Sequence, residues 1–387
     1  MQPIADQTSI TQPLDNKRYW WLLSPLLPLQ PLVGIALYFW LGHEWLLAVP
    51  LIVTYTLLPI LDLLLDEDSV NPEEAHVEQL EQDPYYQRLT FVTVLTHFTT
   101  FFALAWVAGT QPIAWGWIII LALTCGAYSG LAINTGHELG HKRSVLEQRM
   151  GLIVLSIPFY GHFSIEHNRG HHRDVATPED PASARMGESI YRFMLREVPG
   201  TFKRGWQNEK IRLERENKSL WSVDNQIMQS YCLSLLVFGG LLLAFGWIML
   251  PFLLIQTAWA WFQLTSANYI EHYGLLREQK EGGRYENCKP HHSWNANAMA
   301  SNLVLFQLER HSDHHANPTR GYQSLRHFDD VPQLPTGYFG MYLIAYFPRW
   351  WFSMMDKRLL AAPHINGDLT KVNIDPAARE SIYARYA

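Results

Sequence analysis

The chain has 387 residues, 48% of them hydrophobic and 13% aromatic, with a formal net charge of -6. That length would suit two soluble domains, yet the apolar residues gather into runs long enough to cross a hydrocarbon core of roughly 30 Å, which takes about 20 helical residues. Three widely separated cysteines, Cys125, Cys232 and Cys288, exclude a disulfide framework, and no Cys-x-x-Cys pair is present to build a zinc ribbon.

In chain order, Met1–Asn16 is polar and carries no positively charged n-region followed by a cleavage signal. Apolar runs then predict six membrane spans near 20–41, 45–65, 90–108, 113–134, 230–250 and 252–270. The first two are rich in proline (Pro25, Pro28, Pro31, Pro50, Pro59), which predicts kinks packed against neighbouring helices. His97 sits mid-span, where an ionisable group is a functional suspect and, equally, a satisfied packing residue. Two long polar segments, 136–229 and 271–387, dilute the mean hydropathy to -0.08. Within them Met150–Ile165 and Tyr338–Phe347 are apolar but short, and read as interfacial or re-entrant. The fold class is therefore all-α: one integral-membrane domain over 1–387, six transmembrane helices capped by the segments 136–229 and 271–387.

Charge supports that topology independently. With six spans all 30 Lys and Arg fall on the side of the termini and of the two polar segments, beginning with Lys17, Arg18 and Arg88. The positive-inside rule makes that face cytoplasmic. The links on the other side, such as Gly42–Glu44 and Gly109–Pro112, are short and carry no basic residue.

That cytoplasmic face carries the histidines. His137 and His141 are four apart, as are His167 and His171 with His172 adjacent; His272 stands alone, and His311, His314 and His315 follow at i, i+3 and i+4. On a helix i and i+4 share one face, so each such pair can close on one metal ion, while a neighbour turned by about 100° reaches a second. Nine histidines exceed the needs of one ion and point to two metals. His137-Glu138-Leu139-Gly140-His141 also fits a zinc protease pattern, but such a site leaves most of the other histidines unexplained. One Glu-x-x-His, Glu73 to His76, falls short of a carboxylate-bridged di-iron bundle, which needs it twice. A metal transporter would place ligands nearer the bilayer midplane. Imidazole suits zinc, copper, iron or nickel. Two ions at the mouth of an apolar bundle point to O2 activation on a hydrocarbon-like substrate, for which iron is the usual ion.

The motifs NTGHELGHKR, EHNRGHHRDVATPEDPASARMGESIYRF, LTSANYIEHYGLLR and LERHSDHHANPTRGYQSLRHF resemble those of the bacterial integral-membrane alkane 1-monooxygenases, from about Tyr19 past Phe328. The wider histidine-box superfamily of fatty acid desaturases and hydroxylases shares the box spacing but lacks the NYIEHYG element. The resemblance implies a non-haem di-iron centre held by His137, His141, His167, His171, His172, His272, His311, His314 and His315. It further implies terminal hydroxylation of n-alkanes to 1-alkanols with O2, with electrons from rubredoxin and its NADH-dependent reductase. The location implied is the bacterial inner membrane with the site facing the cytoplasm. The sister chemistries are acyl desaturation or hydroxylation and xylene-type methyl hydroxylation. One departure stands out: Glu309 occupies a position where the family usually has Gln, bringing a charge near the site.

Metal-bound imidazoles normally donate their second N–H to a carboxylate or carbonyl. Glu138, Glu166, Asp174, Asp180, Glu271 and Asp313 are the candidates, each close in sequence to a histidine of the set. An apolar substrate is aimed only by shape, so the helices should enclose a narrow channel, with Thr54, Leu57 and Leu58 as candidate liners. Lys142, Arg143, Arg149, Lys203 and Arg204 are candidates for a basic patch that docks an acidic electron donor.

Overall fold

A computed structural model describes residues 15–386. Most of the polar N-terminal stretch read from sequence, residues 1–14, therefore lies outside the described residues. Among the described residues the fold is helical, with isolated bridges such as Met186 to Ile374 and Leu275 to Val372 and no named strand.

Five helical runs are long and apolar enough to cross a membrane. They are α1 (Trp20–Leu41), α2 (Glu44–Leu64), α3 (Pro84–Thr110), α4 (Trp115–Gly140) and the 47-residue run Gln226–His272. This last run takes in both of the final predicted spans. Gly246, at φ 77°, breaks it into α7 (Gln226–Phe245) and α8 (Met249–His272). Between α4 and α7 lie α5 (Val145–Val154) and α6 (Ile190–Arg215); α9 (His311–Ala316) and α10 (Tyr338–Ala345) follow α8.

Prolines act on α1 and α2 as expected. The first run alternates α and 3-10 turns, one of them over Leu27–Leu29 around Pro28. In α2 a π turn over Val53–Leu57 precedes Pro59, which has no N–H to return to the carbonyl of Tyr55.

The outer face of the bundle is apolar: Leu236 and Leu243 of α7 are 73% and 91% exposed, as suits a lipid-facing surface. Trp40, Trp45, Trp115 and Trp247 ring the end where the short links lie, where an aromatic belt belongs. The chain is a multi-pass membrane protein. Inside, α4 is the central helix, packed against α3, α5 and α8. Phe101, Leu104, Leu121 and Phe252 fill the bundle core, and a second core around Phe193, Tyr269, Trp294, Tyr338 and Trp351 fills the cap.

Both helices that carry the site run past the predicted span ends. α4 stays helical to Gly140 and α8 to His272, so their last turns leave the apolar bundle as rigid posts. Segment Met150–Ile165 does turn back: α5 stops at Val154, turns follow, and a helix resumes at Phe163. The return is tight because Gly136 of α4 leaves room for it; a Cβ there would meet Leu155 Cγ at 2.8 Å.

Candidate metal centre

Four pieces of chain meet at the cap end of the bundle: the last turn of α4, residues 163–174, the end of α8, and α9. They bring the nine predicted histidines into two groups. His137, His141, His167, His172 and His314 form one, and His171, His272, His311 and His315 the other, each with its ring nitrogens within 4.8 Å of one another. The groups share a wall, His172 and His315 having ring centroids 4.4 Å apart.

The partition differs from the i, i+4 expectation at one place. His137 with His141 and His311 with His315 keep company as predicted, but His167 and His171 separate. Residues His167–His171 form a π turn in which the His172 amide returns to the His167 carbonyl, so i and i+5 align. His167 therefore pairs with His172, their Nε2 atoms 3.1 Å apart, and His171 swings to the other group.

The donor atoms fit a metal. Nitrogens held at about 2.1 Å from a common ion and at right angles to each other stand about 3.0 Å apart. Here Nε2 of His137 is 3.0 Å from that of His314, which lies 3.1 Å from that of His172. In the second group Nε2 of His311 lies 3.1 Å from that of His272 and 3.0 Å from that of His315. Nε2 of His141 and of His171 are buried without a hydrogen-bond partner. Two outer contacts fix tautomers: Nδ1–H of His171 donates to Asp180 Oδ2 at 2.9 Å, and Nδ1–H of His272 to the His292 carbonyl at 3.1 Å. Each leaves an Nε2 lone pair facing inward. Burial first, and neighbouring imidazoles second, hold His167, His172, His311, His314 and His315 well below the ordinary histidine value, hence in the neutral form that ligates. Burial also works to lower His171, but the Asp180 carboxylate outweighs it and the net shift is upward.

The six predicted carboxylates divide. Asp180 receives His171 Nδ1–H, the Ser183 hydroxyl at 2.6 Å, the Ala182 amide at 3.1 Å and Arg204 at 2.6 Å. Glu271 Oε2 lies 3.5 Å from His311 Nε2. Glu166 is held by Arg204, whose Nε donates at 2.7 Å, and Asp174 is taken by Arg173 at 2.7 and 2.8 Å. Glu138 pairs with Lys142 at 2.6 Å, and Asp313 with Arg320 at 2.9 Å. These last four have basic partners and no hydrogen bond to an imidazole of either group.

The structure corrects two charge expectations. Arg204 is no docking residue: its side chain, 12% exposed, is held between Glu166 and Asp180, against Gly170, where a Cβ would stand 2.5 Å from Arg204 Nε. Lys142 is likewise tied to Glu138, whereas Arg143, Arg149 and Lys203 are exposed. Glu309 is fully buried beside α9, and burial raises it well above the ordinary glutamate value. Its oxygens accept from the Tyr338 amide at 2.6 Å and the Asn302 side chain at 3.1 Å.

Other histidines lie elsewhere. His97 meets Thr135 Oγ1 at 3.0 Å and His162 meets Tyr231 at 2.8 Å. Glu286, His291 and His292 also stand together. But His292 Nδ1 accepts the Lys289 amide at 2.9 Å and Glu286 carries the Lys289 ammonium, so these groups are committed to one another.

A narrow cavity of about 50 Å³ lies between the helices and touches both groups. It is lined by His137, His167 and His311 of the two groups, by Leu131, Phe163, Leu264 and Ala267, and by Thr54. Thr54 lines it; Leu57 faces outward at 45% exposure, and Leu58 packs in the core. The π turn sets this division too. Glu197, missed in the sequence, reaches the cavity wall from α6 by accepting from Thr265 at 2.6 Å and Asn268 at 2.9 Å. An acidic residue within a largely basic helix was the available signal.

An all-helical membrane protein with two histidine cages at the end of its bundle is a histidine-box protein of the desaturase type, and the fatty acid desaturase family matches residues 114–350. Alkane 1-monooxygenase 1 of Alcanivorax borkumensis is 54% identical over 367 residues, 95% of this chain and 90% of that protein. Alkane 1-monooxygenase of Ectopseudomonas oleovorans is 52% identical over 377 residues, 96% and 92%. The xylene/toluene monooxygenase hydroxylase component of Pseudomonas putida is 27% identical over 357 residues, 89% of each. The chain belongs to the alkane 1-monooxygenase family.

Proposed function

We propose that this enzyme converts n-alkanes to 1-alkanols with O2, the nine histidines holding two iron ions, five to one and four to the other. The observation that carries the reading is the mainly apolar cavity, which is lined by members of both cages. Bound iron supplies the dioxygen chemistry that inserts one oxygen atom into a C–H bond. The protein does the rest. Leu131, Phe163, Leu264 and Leu305 exclude water and offer an alkane only apolar contact. The narrow bore admits a chain end first, so the terminal methyl reaches the cages although its C–H bond is the harder to break. Asp180 and the His292 carbonyl hold His171 and His272 in the ligating tautomer, and Arg204 holds Asp180.

The reaction takes up two electrons and two protons with each O2. A separate donor, rubredoxin reduced by its NADH-dependent reductase, supplies the electrons. His172 is the least buried of the nine histidines, which brings the first cage nearest the surface there. Exposed Arg143, Arg149 and Lys203 suit an acidic donor. α7 and α8 count as separate crossings, giving six spans, because each is long enough to traverse the core and Gly246 reverses the chain between them. The distribution of Lys and Arg supports a single domain with its cages on the cytoplasmic side of the inner membrane.

The test is turnover of the iron-loaded protein on dodecane under 18O2 with rubredoxin, reductase and NADH. Labelled 1-dodecanol is expected. Absence of labelled alcohol with iron content and reduction verified would refute alkane hydroxylation, and labelled product from toluene instead would favour the xylene-type reading.

A further inference from the structure

α6 has three faces. Ile190, Phe193, Glu197, Thr201, Gly205, Glu209 and Leu213 are buried against the protein. Arg192, Lys203, Lys210 and Glu214 form an exposed charged stripe. Between them runs a third stripe, Tyr191, Leu195, Phe202 and Trp206, which at about 100° per residue falls within about 60° of arc. These are large apolar side chains, and Leu195 is 78% exposed. The stripe continues into the loop before α7, where Trp221 is 73% and Val223 88% exposed and Trp221 packs on Trp206 at 5.9 Å.

What covers this stripe is indicated by what it adjoins. The Tyr191 ring stacks on Phe262 of α8 at 6.2 Å, and Phe202 lies 6.4 Å from Tyr231 of α7. Both partners belong to the last membrane run; Phe262 is buried and Tyr231 half-buried, so the stripe abuts the membrane helices, beside Leu235 and Leu236 of α7 that are 61% and 73% exposed. A helix with an apolar stripe at bilayer level and a basic stripe beside it has the make-up of an in-plane interfacial helix, with Trp and Tyr at the headgroup boundary.

We infer that α6 and the 219–224 loop lie in the membrane interface, the Tyr191–Trp206 stripe seated among the upper acyl chains and the charged stripe in water. The inference holds whatever the metal or substrate. Its consequence for the site is direct. Glu197, on this helix, binds Asn268 of the cavity wall, and Arg204, also on it, binds Asp180 behind His171. The depth at which α6 sits is thereby coupled to both the cavity and the second cage.

The test uses full-length protein in vesicles of phosphatidylethanolamine and phosphatidylglycerol, with Cys232→Ser and Cys288→Ser removing the two cysteines that are not buried. Single spin labels go on L195C, F202C, K203C and K210C, all exposed positions, of which Phe202 alone also packs on a buried ring, that of His162 at 5.3 Å. Collision with O2 relative to a water-soluble nickel chelate should be severalfold higher at 195 and 202 than at 203 and 210. Equal ratios at all four would overturn the inference. So would shielding of 195 and 202 from both relaxants, since that would show the stripe covered by protein, such as a second copy of the chain.

Discussion

Asp180→Asn tests the outer hydrogen bonds of the second cage. The carboxylate is buried and meets four donors: His171 Nδ1–H and the Ser183 hydroxyl at Oδ2, the Ala182 amide and Arg204 at Oδ1. Ser183 accepts the Ala176 amide at 2.8 Å and keeps a second lone pair with which it can accept from a new NH2. An asparagine has one oxygen, so its NH2 must face one pair of donors whichever way it turns. The guanidinium is the permanent charge, and the oxygen goes to it. The NH2 then faces His171, which restores a hydrogen bond by moving its proton from Nδ1 to Nε2, the atom turned into the cage. His171 is lost as a ligand. Changing such an outer partner typically costs 10–100-fold in metal affinity or activity, here about 1.4–2.7 kcal/mol. Weakening the Arg204 pair costs in addition up to about 3–5 kcal/mol of folding stability, the range for a broken buried ion pair. The assay is metal per chain after dialysis against graded chelator, read beside thermal unfolding. Selective loss from one of two sites is expected; wild-type retention at every chelator concentration would refute the tautomer argument.

Thr54→Trp should shorten the longest alkane accepted, because Thr54 is 3% exposed and lines the cavity, and an unchanged chain-length profile would remove it from the substrate path. Glu197 is raised from 4.5 to about 7, chiefly by burial. A raised carboxyl favours folding most below its ordinary value and loses that contribution as pH climbs to the folded one, so Glu197→Gln should gain stability on wild type between those limits and level off above. Parallel pH–melting curves would show that Glu197 does not titrate there. Gly126→Ala should destabilise by about 1–3 kcal/mol, the usual cost of overpacking, since its Cβ would stand 2.6 Å from the Gln256 carbonyl and push α8 off α4. Chemical denaturation in bilayer-mimicking micelles measures this, and no loss would mean the two helices part freely. His327→Asn should keep full metal while His314→Asn loses it, because His327 bonds Asn297 and Asp329 outside both groups; equal metal content in the two variants would count against the cages.

The amino-acid sequence determined the membrane character and the candidate ligands, because both are local properties. Hydropathy needs only a run of about 20 residues, and His137 with His141 or His311 with His315 need only one helical turn. The count of runs differed because the break at Gly246 is a single backbone angle inside one long apolar stretch. What tertiary structure decided was the grouping. A π turn at His167–His171 sends adjacent histidines to different cages, and another at Val53–Leu57 turns Thr54 inward and Leu57 outward. The partners behind the cages were equally out of reach. Arg204 reads as a surface charge in sequence, and only the packing of α6 against residues 163–166 holds it between Glu166 and Asp180. Helical periodicity says which side a residue faces, whereas a side chain's partner depends on which other segment, tens of residues away, arrives on that side.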